Sequence, residues 1–348
     1  MMRLPDFRYL APRTAHEAAL MLAAEGAAEG AALPLSGGTD LLPNMKRRQQ
    51  TPAVLVGLRG IPALRTMDNG RGLRLGAGLT LTSLVRSAQL RAQWRALWEA
   101  AAQVATPPLR AMGTLGGNLC LDTRCNYYDQ SYEWRKAISF CMKKDGVTCW
   151  VAPASRRCLA VSSTDTAPAL LSLGARVRLS GPSGERVLPL EALYANDGIC
   201  YLTKGPDEIL TDVLLDPHPG WRSTYWKLRR RGSFDFPVLS VAAAARFGPG
   251  SVVEEARLVL GSVSSRPLSV PDAAALLVGK ELSDAAIEEA AQMAAGPAKP
   301  MDNTDFTLHW RKRVVREVVG WALRDLRGDD VRALRSRVAR HLLDEGVA

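Results

Sequence analysis

Cys125, Cys141, Cys149 and Cys158 follow one another at intervals of 16, 8 and 9 positions and could supply four thiolates to one site. Four thiolates suit a tetrahedral zinc or a four-iron cluster. The intervals lack the CxxC pairs of common zinc ribbons, so spacing alone does not select iron over zinc. Unligated thiols in a loop are the remaining alternative. Cys120 is a fifth thiol nearby, and only Cys200 lies outside this stretch. A disulfide framework does not fit, because nothing in the sequence indicates secretion.

A second chemistry is suggested by two glycine-rich segments, Ser36-Gly37-Gly38-Thr39 and Gly113-Thr114-Leu115-Gly116-Gly117-Asn118. Glycines reach positive φ and leave backbone N–H groups free to face an anion. Each segment by itself could be no more than a tight turn. Converging, the two would hold a pyrophosphate from two sides. Neither is a GxGxxG inside a parallel βαβ unit, so a Rossmann site is not indicated. His16, His218, His309 and His341 are not paired with one another or with a nucleophile, and no GxSxG, HExxH or Walker A pattern occurs. The short basic runs at Lys46–Arg48, Arg229–Arg231 and Arg311–Arg313 are scattered and not interleaved with aromatics, which argues against nucleic acid.

These residues need a scaffold, and 348 residues with 47% hydrophobic and 23% charged side chains suffice for a two- or three-part globular chain. The net charge of +10 leaves acidic partners open. No stretch is long and apolar enough to span a membrane, and the start does not read as a secretory signal, so a cytoplasmic location without membrane insertion is expected. Residues 1–60 read as strand, helix, strand, helix, strand, with Thr14 and Glu17 as a capping box. Around Asn69-Gly70 the pattern changes to a hairpin, followed by helices over Leu81–Ala92 and Trp94–Val104 that Pro107-Pro108 stops. A helix over Asp165–Leu173 and strands at Arg176–Leu179, Arg186–Leu188 and Glu208–Leu215 complete this second region. Pro217–Gly220 marks a boundary. Beyond it a three-stranded meander and helices at Ala273–Val278, Ala285–Ala294 and Phe306–Arg327 are expected. The divisions are 1–60, 61–217 with an insert at 120–160, 221–328, and an amphipathic tail at 329–348.

SGGTDL and GTLGGN, in this order, resemble the FAD-binding subunits of the molybdenum hydroxylase family, and the resemblance runs from residue 3 to about 325. It implies an α+β fold of two α/β FAD-binding subdomains and a C-terminal antiparallel sheet with helices. It also implies that Leu35, Ser36, Gly37, Gly38, Thr39, Asp40, Leu41 and Leu42 wrap the FAD diphosphate. Thr114, Leu115, Gly116, Gly117 and Asn118 would support the cofactor from the opposite side. Asp165 would meet a ribityl or ribose hydroxyl, and Lys227 would lie near the flavin as a cation favouring its reduced anion. Without the resemblance, Asp165 reads as a helix N-cap and Lys227 as a solvated strand residue.

More than forty residues separate Asn118 from Asp165, where most of the family has a short connection. LCLDTRCNYYDQSYEWR, FCMKKDG and TCWVAPASRRC resemble the insert of the 4-hydroxybenzoyl-CoA reductase group within that family. That resemblance implies a [4Fe–4S] cluster on Cys125, Cys141, Cys149 and Cys158, with Cys120 structural and Asp122 within reach of the cofactor. Tyr127, Tyr128, Tyr132 and Trp134 are expected to shield the cluster. Arg124, Lys136, Lys143, Lys144, Arg156 and Arg157 make the insert basic, as a solvated loop or as a docking face for an acidic carrier such as ferredoxin. The implied partners are a large molybdenum-cofactor subunit and a small [2Fe–2S] subunit, as a dimer of heterotrimers. The implied role is to pass ferredoxin electrons toward molybdenum for reductive dehydroxylation of 4-hydroxybenzoyl-CoA. An oxidative hydroxylase for another heterocycle or aldehyde, a self-contained FAD oxidoreductase with structural zinc, and a non-enzymatic metal-binding protein are the alternatives.

Overall fold

Strands β1 (Arg8–Leu10), β2 (Ala32–Leu35) and β3 (Val54–Gly57) form a parallel sheet in the order β1-β3-β2 in the computed structural model, which describes residues 3–26, 30–70 and 72–339. VLVG of β3 is buried throughout, as a central parallel strand covered on both faces requires. The connecting helix Ala15–Glu25 starts at Thr14, whose hydroxyl accepts from Glu17 N at 3.0 Å. Glu17 returns the bond to the N–H of Arg13 (2.7 Å), one residue ahead of the cap.

The second sheet has the order β4-β5-β8-β6-β7, from β4 (Met67–Asp68), β5 (Leu73–Gly76), β6 (Arg176–Gly181), β7 (Gly184–Pro189) and β8 (Ile209–Leu215), and all its pairs are antiparallel. Asp68 pairs with Arg74, so the hairpin loop is longer than a two-residue Asn-Gly turn. The two helices expected over 81–104 are three: Leu81–Arg86, Ala88–Gln93 and Arg95–Gln103. Ser87 causes the first break, because its hydroxyl accepts from Leu90 N (3.2 Å) and starts a new helix in place of a continued turn. Pro107 and Pro108 begin a further helix, Pro107–Met112, where a missing N–H costs nothing.

The third sheet, β12-β11-β10-β9, contains β9 (Trp221–Leu228), β10 (Leu239–Phe247), β11 (Val253–Gly261) and β12 (Leu268–Ser269). Its central strand carries Ala242–Ala245, whose small side chains let helices approach both faces. Ala243 and Ala245 join the core built with helices Asp284–Ala295 and Leu308–Arg327, while Ala242 packs with Ala96, Ala100, Ala169 and Tyr225. This second contact locks the C-terminal sheet onto the helices of the preceding unit. No helix of the described residues is long and apolar enough to cross a membrane.

The segment after Gly328 folds back as helix Arg332–Ala339; residues 340–348 of the expected tail, with His341, lie outside the described residues. Arg335 lies over the Trp226 ring (4.4 Å) and within hydrogen-bond distance of Asp325 (2.5 Å), Thr224 (2.8 Å) and Glu99 (3.0 Å). Burial would raise the Asp325 carboxyl, but the Thr224 hydroxyl, Arg335 and Arg95 together hold it below the ordinary carboxylate range. A depressed folded value stabilises the protein above the unfolded value, ~3.9, and that stability is lost as pH falls through the folded one. Asp325→Ala is expected to cost about 1–3 kcal/mol, because Arg335 keeps Glu99 but loses the charge-assisted bond to Asp325, and to flatten the acid limb of a denaturation curve below about pH 4. An unchanged midpoint in urea would show that the clasp contributes nothing.

Candidate functional site

A cavity of about 740 Å³ opens where the three units meet, and both glycine segments line it. The first leaves the end of β2. Gly38 takes φ +72°, which a side chain would resist. Among the described residues, the N–H groups of Gly37, Gly38, Thr39 and Asp40 donate to no protein acceptor, although all four residues line the cavity. Such a run of open amides suits an anion. The helix that follows, Leu41–Lys46, is only six residues long, and Asp40 does not cap it. Its carboxylate instead pairs with Arg124 and accepts from Asn44 (3.2 Å). Leu35, Ser36 and Leu41 also line the cavity; Leu42 does not.

The second segment does a different job from the one its glycines suggested. Gly113 N donates to Leu109 O, Leu115 N to Leu79 O, Gly116 N to Ala77 O, Gly117 N to the Thr114 hydroxyl and Asn118 N to Thr114 O. These amides are spent within the protein and cannot face an anion. Thr114–Asn118 is a buttress: the Thr114 hydroxyl meets that of Ser36 at 2.9 Å, which ties it to the first loop. A Cβ on Gly37 would sit 2.0 Å from Met112 O, so the loops touch backbone to backbone. Thr114, Gly116, Gly117 and Asn118 reach the cavity wall, whereas Leu115 is core. Asn118 Oδ1 accepts from Thr164 Oγ1 (2.9 Å), Thr166 N (3.0 Å) and Thr166 Oγ1 (2.6 Å), holding the start of helix Thr166–Ser172 against the loop.

Asp165 occupies the N-cap position of helix Thr166–Ser172, but its side chain makes no capping bond and lines the cavity instead. Its carboxylate accepts from Tyr225 Oη (2.6 Å) and Lys227 Nζ (2.9 Å). Lys227 is not a solvated strand residue: its side chain is 0% exposed, and it also donates to Gln103 O at 3.0 Å. Burial pushes its ammonium below the ordinary lysine value, and Asp165 opposes that shift. Lys227 stands behind Asp165 and does not itself line the cavity.

Sequence reasoning missed the outer wall. Arg231, Phe234, Asp235 and Phe236, from the loop between β9 and β10, border the cavity together with Asn303 to Asp305. Phe234 and Phe236 are about half exposed, and Phe236 lies over Arg124 at 4.7 Å. The signal was Phe234-Asp235-Phe236, two apolar rings in a loop with no core position to fill.

Cys125, Cys141, Cys149 and Cys158 are all buried and surround one small cavity. Among the described residues no three donor side chains are grouped so as to hold a single metal ion, and no cysteine is disulfide-bonded. Burial pushes the Cys125 thiol up to about 12 and the Cys158 thiol up to about 11, so ligation there would release protons. Four buried thiols around one space are the donor set an iron–sulfur cluster takes. Tyr127 lines this cavity and Tyr128 packs beside it, as expected. Tyr132 and Trp134 are 43% and 40% exposed and do not line it; Met142, Trp150 and Val151 do. Lys136, Arg156 and Arg157 are exposed, but Arg124 and Lys143 point inward with side chains only 9% and 7% exposed, and form no docking face. Asp122 lines the larger cavity with its carboxylate already engaged by Lys143 (2.8 Å). Cys120 is half-buried on the wall of the same cavity, and Cys200 is exposed.

Comparison with known proteins agrees with this architecture. Residues 5–218 match the FAD binding domain in molybdopterin dehydrogenase, and residues 223–326 match the CO dehydrogenase flavoprotein C-terminal domain. The aldehyde oxidoreductase FAD-binding subunit of Escherichia coli is 30% identical over 304 residues, covering 83% of this chain and 90% of that protein. The carbon monoxide dehydrogenase medium chain of Afipia carboxidovorans is 28% identical, over 89% of this chain and 92% of that one. A crystal structure of the Cu,Mo-CO dehydrogenase superposes with a TM-score of 0.78 at 25% identity, over 94% of this chain and 99% of that chain. The chain belongs to the molybdenum hydroxylase family, as one of its FAD-binding oxidoreductase subunits.

Proposed function

We propose that this subunit holds FAD in the large cavity and a [4Fe–4S] cluster on Cys125, Cys141, Cys149 and Cys158, and that it feeds electrons toward a molybdenum centre. The observation that carries the cluster is the set of four buried thiols enclosing one space beside the flavin cavity. When bound, flavin accepts one or two electrons and so joins one-electron carriers to two-electron chemistry. The open amides of Gly37 to Asp40 receive the diphosphate, while Thr114 and Asn118 keep that loop in place. Asp165, fixed by Tyr225 and Lys227, offers its carboxylate to a ribityl or ribose hydroxyl. Phe234 and Phe236 cover the outer side against water.

In this reading the subunit works in the cytoplasm beside a large molybdenum-cofactor subunit and a small [2Fe–2S] subunit, in a dimer of heterotrimers. Electrons arrive from a ferredoxin-like donor, and the complex reductively dehydroxylates 4-hydroxybenzoyl-CoA. The resemblance of the cysteine insert to that of the 4-hydroxybenzoyl-CoA reductase group supports this direction. An oxidative hydroxylase is the second reading, favoured by relatives named aldehyde oxidoreductase and nicotine 6-hydroxylase.

Anaerobically isolated complex tests the proposal. Bound FAD and about four irons per copy of this chain, beyond those of a [2Fe–2S] partner, are the expected result. Zinc without iron in this chain would sink the cluster and leave a structural zinc site. Turnover of 4-hydroxybenzoyl-CoA with a low-potential donor, against oxidation of aldehydes or N-heterocycles, separates the two reaction classes.

A further inference from the structure

Between the two cavities lies a buried ion pair with a fixed orientation. Asp122 is on the wall of the flavin cavity, and Lys143 is on the wall of the cysteine cavity. Their side chains are 5% and 7% exposed, and Lys143 Nζ meets Asp122 Oδ1 at 2.8 Å. The ammonium also donates to Thr123 Oγ1 (2.7 Å) and to Gly198 O (2.6 Å), so its three hydrogens are all used. The rings of Tyr128 and Tyr201 face it at 4.9 and 5.4 Å. The other carboxylate oxygen accepts from Tyr128 Oη (3.1 Å) and Gln50 Nε2 (3.3 Å). Neither charge can turn away, and in a low-dielectric interior each acts strongly on its near side.

A pair that only pinned the insert to the body of the protein would need no particular orientation. Here the ammonium is held at Gly198, whose N–H donates to Cys158 O on the side of the thiols, and the carboxylate lies on the wall of the flavin cavity. We propose that Asp122 and Lys143 form an oriented dipole that favours an electron on the cluster and disfavours one on the flavin, setting how electrons divide between the two cofactors. The proposal rests on the assignment of FAD and the cluster to these cavities. A cation beside a four-thiolate cluster offsets its negative charge and raises its potential. A carboxylate at the flavin opposes the added charge of reduction and lowers the flavin potential.

The test is an anaerobic redox titration of the intact complex, with the cluster followed by electron paramagnetic resonance and the flavin by absorbance. The double variant D122N/K143M removes both charges and leaves no buried ion unpaired. Its cluster midpoint is expected to become more negative and its flavin midpoint less negative. A tenfold change in electron partition corresponds to about 59 mV between the two. Lys143→Arg, which keeps the cation, should restore wild-type midpoints when Asp122 is present. Midpoints that stay put, or that move in the same direction, in a double variant retaining iron and FAD overturn the dipole. If methionine expels the iron, Asp122→Asn alone decides. Loss of the carboxylate then raises both midpoints, and unmoved values overturn the proposal. Wild-type complex with FAD but without iron in this chain refutes the cluster assignment instead, so the two failures are distinct.

Discussion

Cys141→Ser is expected to strip the iron from this subunit, from about four atoms per chain to less than one, while leaving FAD bound. Cys141 is buried on the wall of the cysteine cavity, and its carbonyl anchors a tight turn by accepting from Lys144 N (2.9 Å) and Gly146 N (3.1 Å). Serine keeps that backbone and nearly the same shape, so the turn survives and only the soft ligand is lost. The amides assigned to FAD belong to the segment after β2, which does not depend on the Cys141 turn. Cys120→Ser and Cys200→Ser serve as controls and should keep full iron, since neither residue lines the cysteine cavity. Unchanged iron in Cys141→Ser would remove this residue from the ligand set.

Gly37→Ala is expected to do the reverse, weakening FAD binding and sparing iron. The added Cβ would fall 2.0 Å from Met112 O, 2.8 Å from Met112 C and 3.0 Å from Gly113 Cα. All three are backbone atoms, so no side-chain rotation relieves the clash, and the first loop must move off its buttress. Overpacking of this kind costs about 1–3 kcal/mol, which corresponds to a roughly 5- to 150-fold rise in Kd for FAD. Fluorescence titration of deflavinated complex measures this. Wild-type affinity in Gly37→Ala would mean that the closeness of the two loops does not matter for the cofactor.

The cysteine pattern was legible because four thiols concentrated in one insert are a candidate donor set that residue type alone displays. The same holds for the strand and helix order of residues 1–60, where apolar runs alternate with capped helices. Lys143 shows where legibility stops. In sequence it is one of several basic residues in a polar insert, and a solvated loop is the natural expectation; in the folded chain the neighbours Asp122 and Thr123 and the distant Gly198 converge on its ammonium. Lys227 shows the same limit, because only the docking of β9 against helix Arg95–Gln103 reveals that it is buried and paired. The twin glycine segments mislead in another way. Composition makes them equivalent, but hydrogen bonds to Leu109, Leu79 and Ala77 consume the amides of one and leave those of the other open.

Sequence by itself thus determined the family and the α+β class through its resemblance to known subunits, and through residue type the cysteines as a candidate ligand set and the loop against which an anion could lie. The last two depend on residue type and local spacing, which folding does not alter. Tertiary structure decided which amides remain free, which charges are buried, that Phe234 and Phe236 border the cavity, and that Asp122 on one cavity wall pairs with Lys143 on the other. Those outcomes depend on what each group finds opposite it. Partners far apart in the chain meet only when the sheets pack, because burial makes an unpaired polar group costly and fixes it on the nearest partner available.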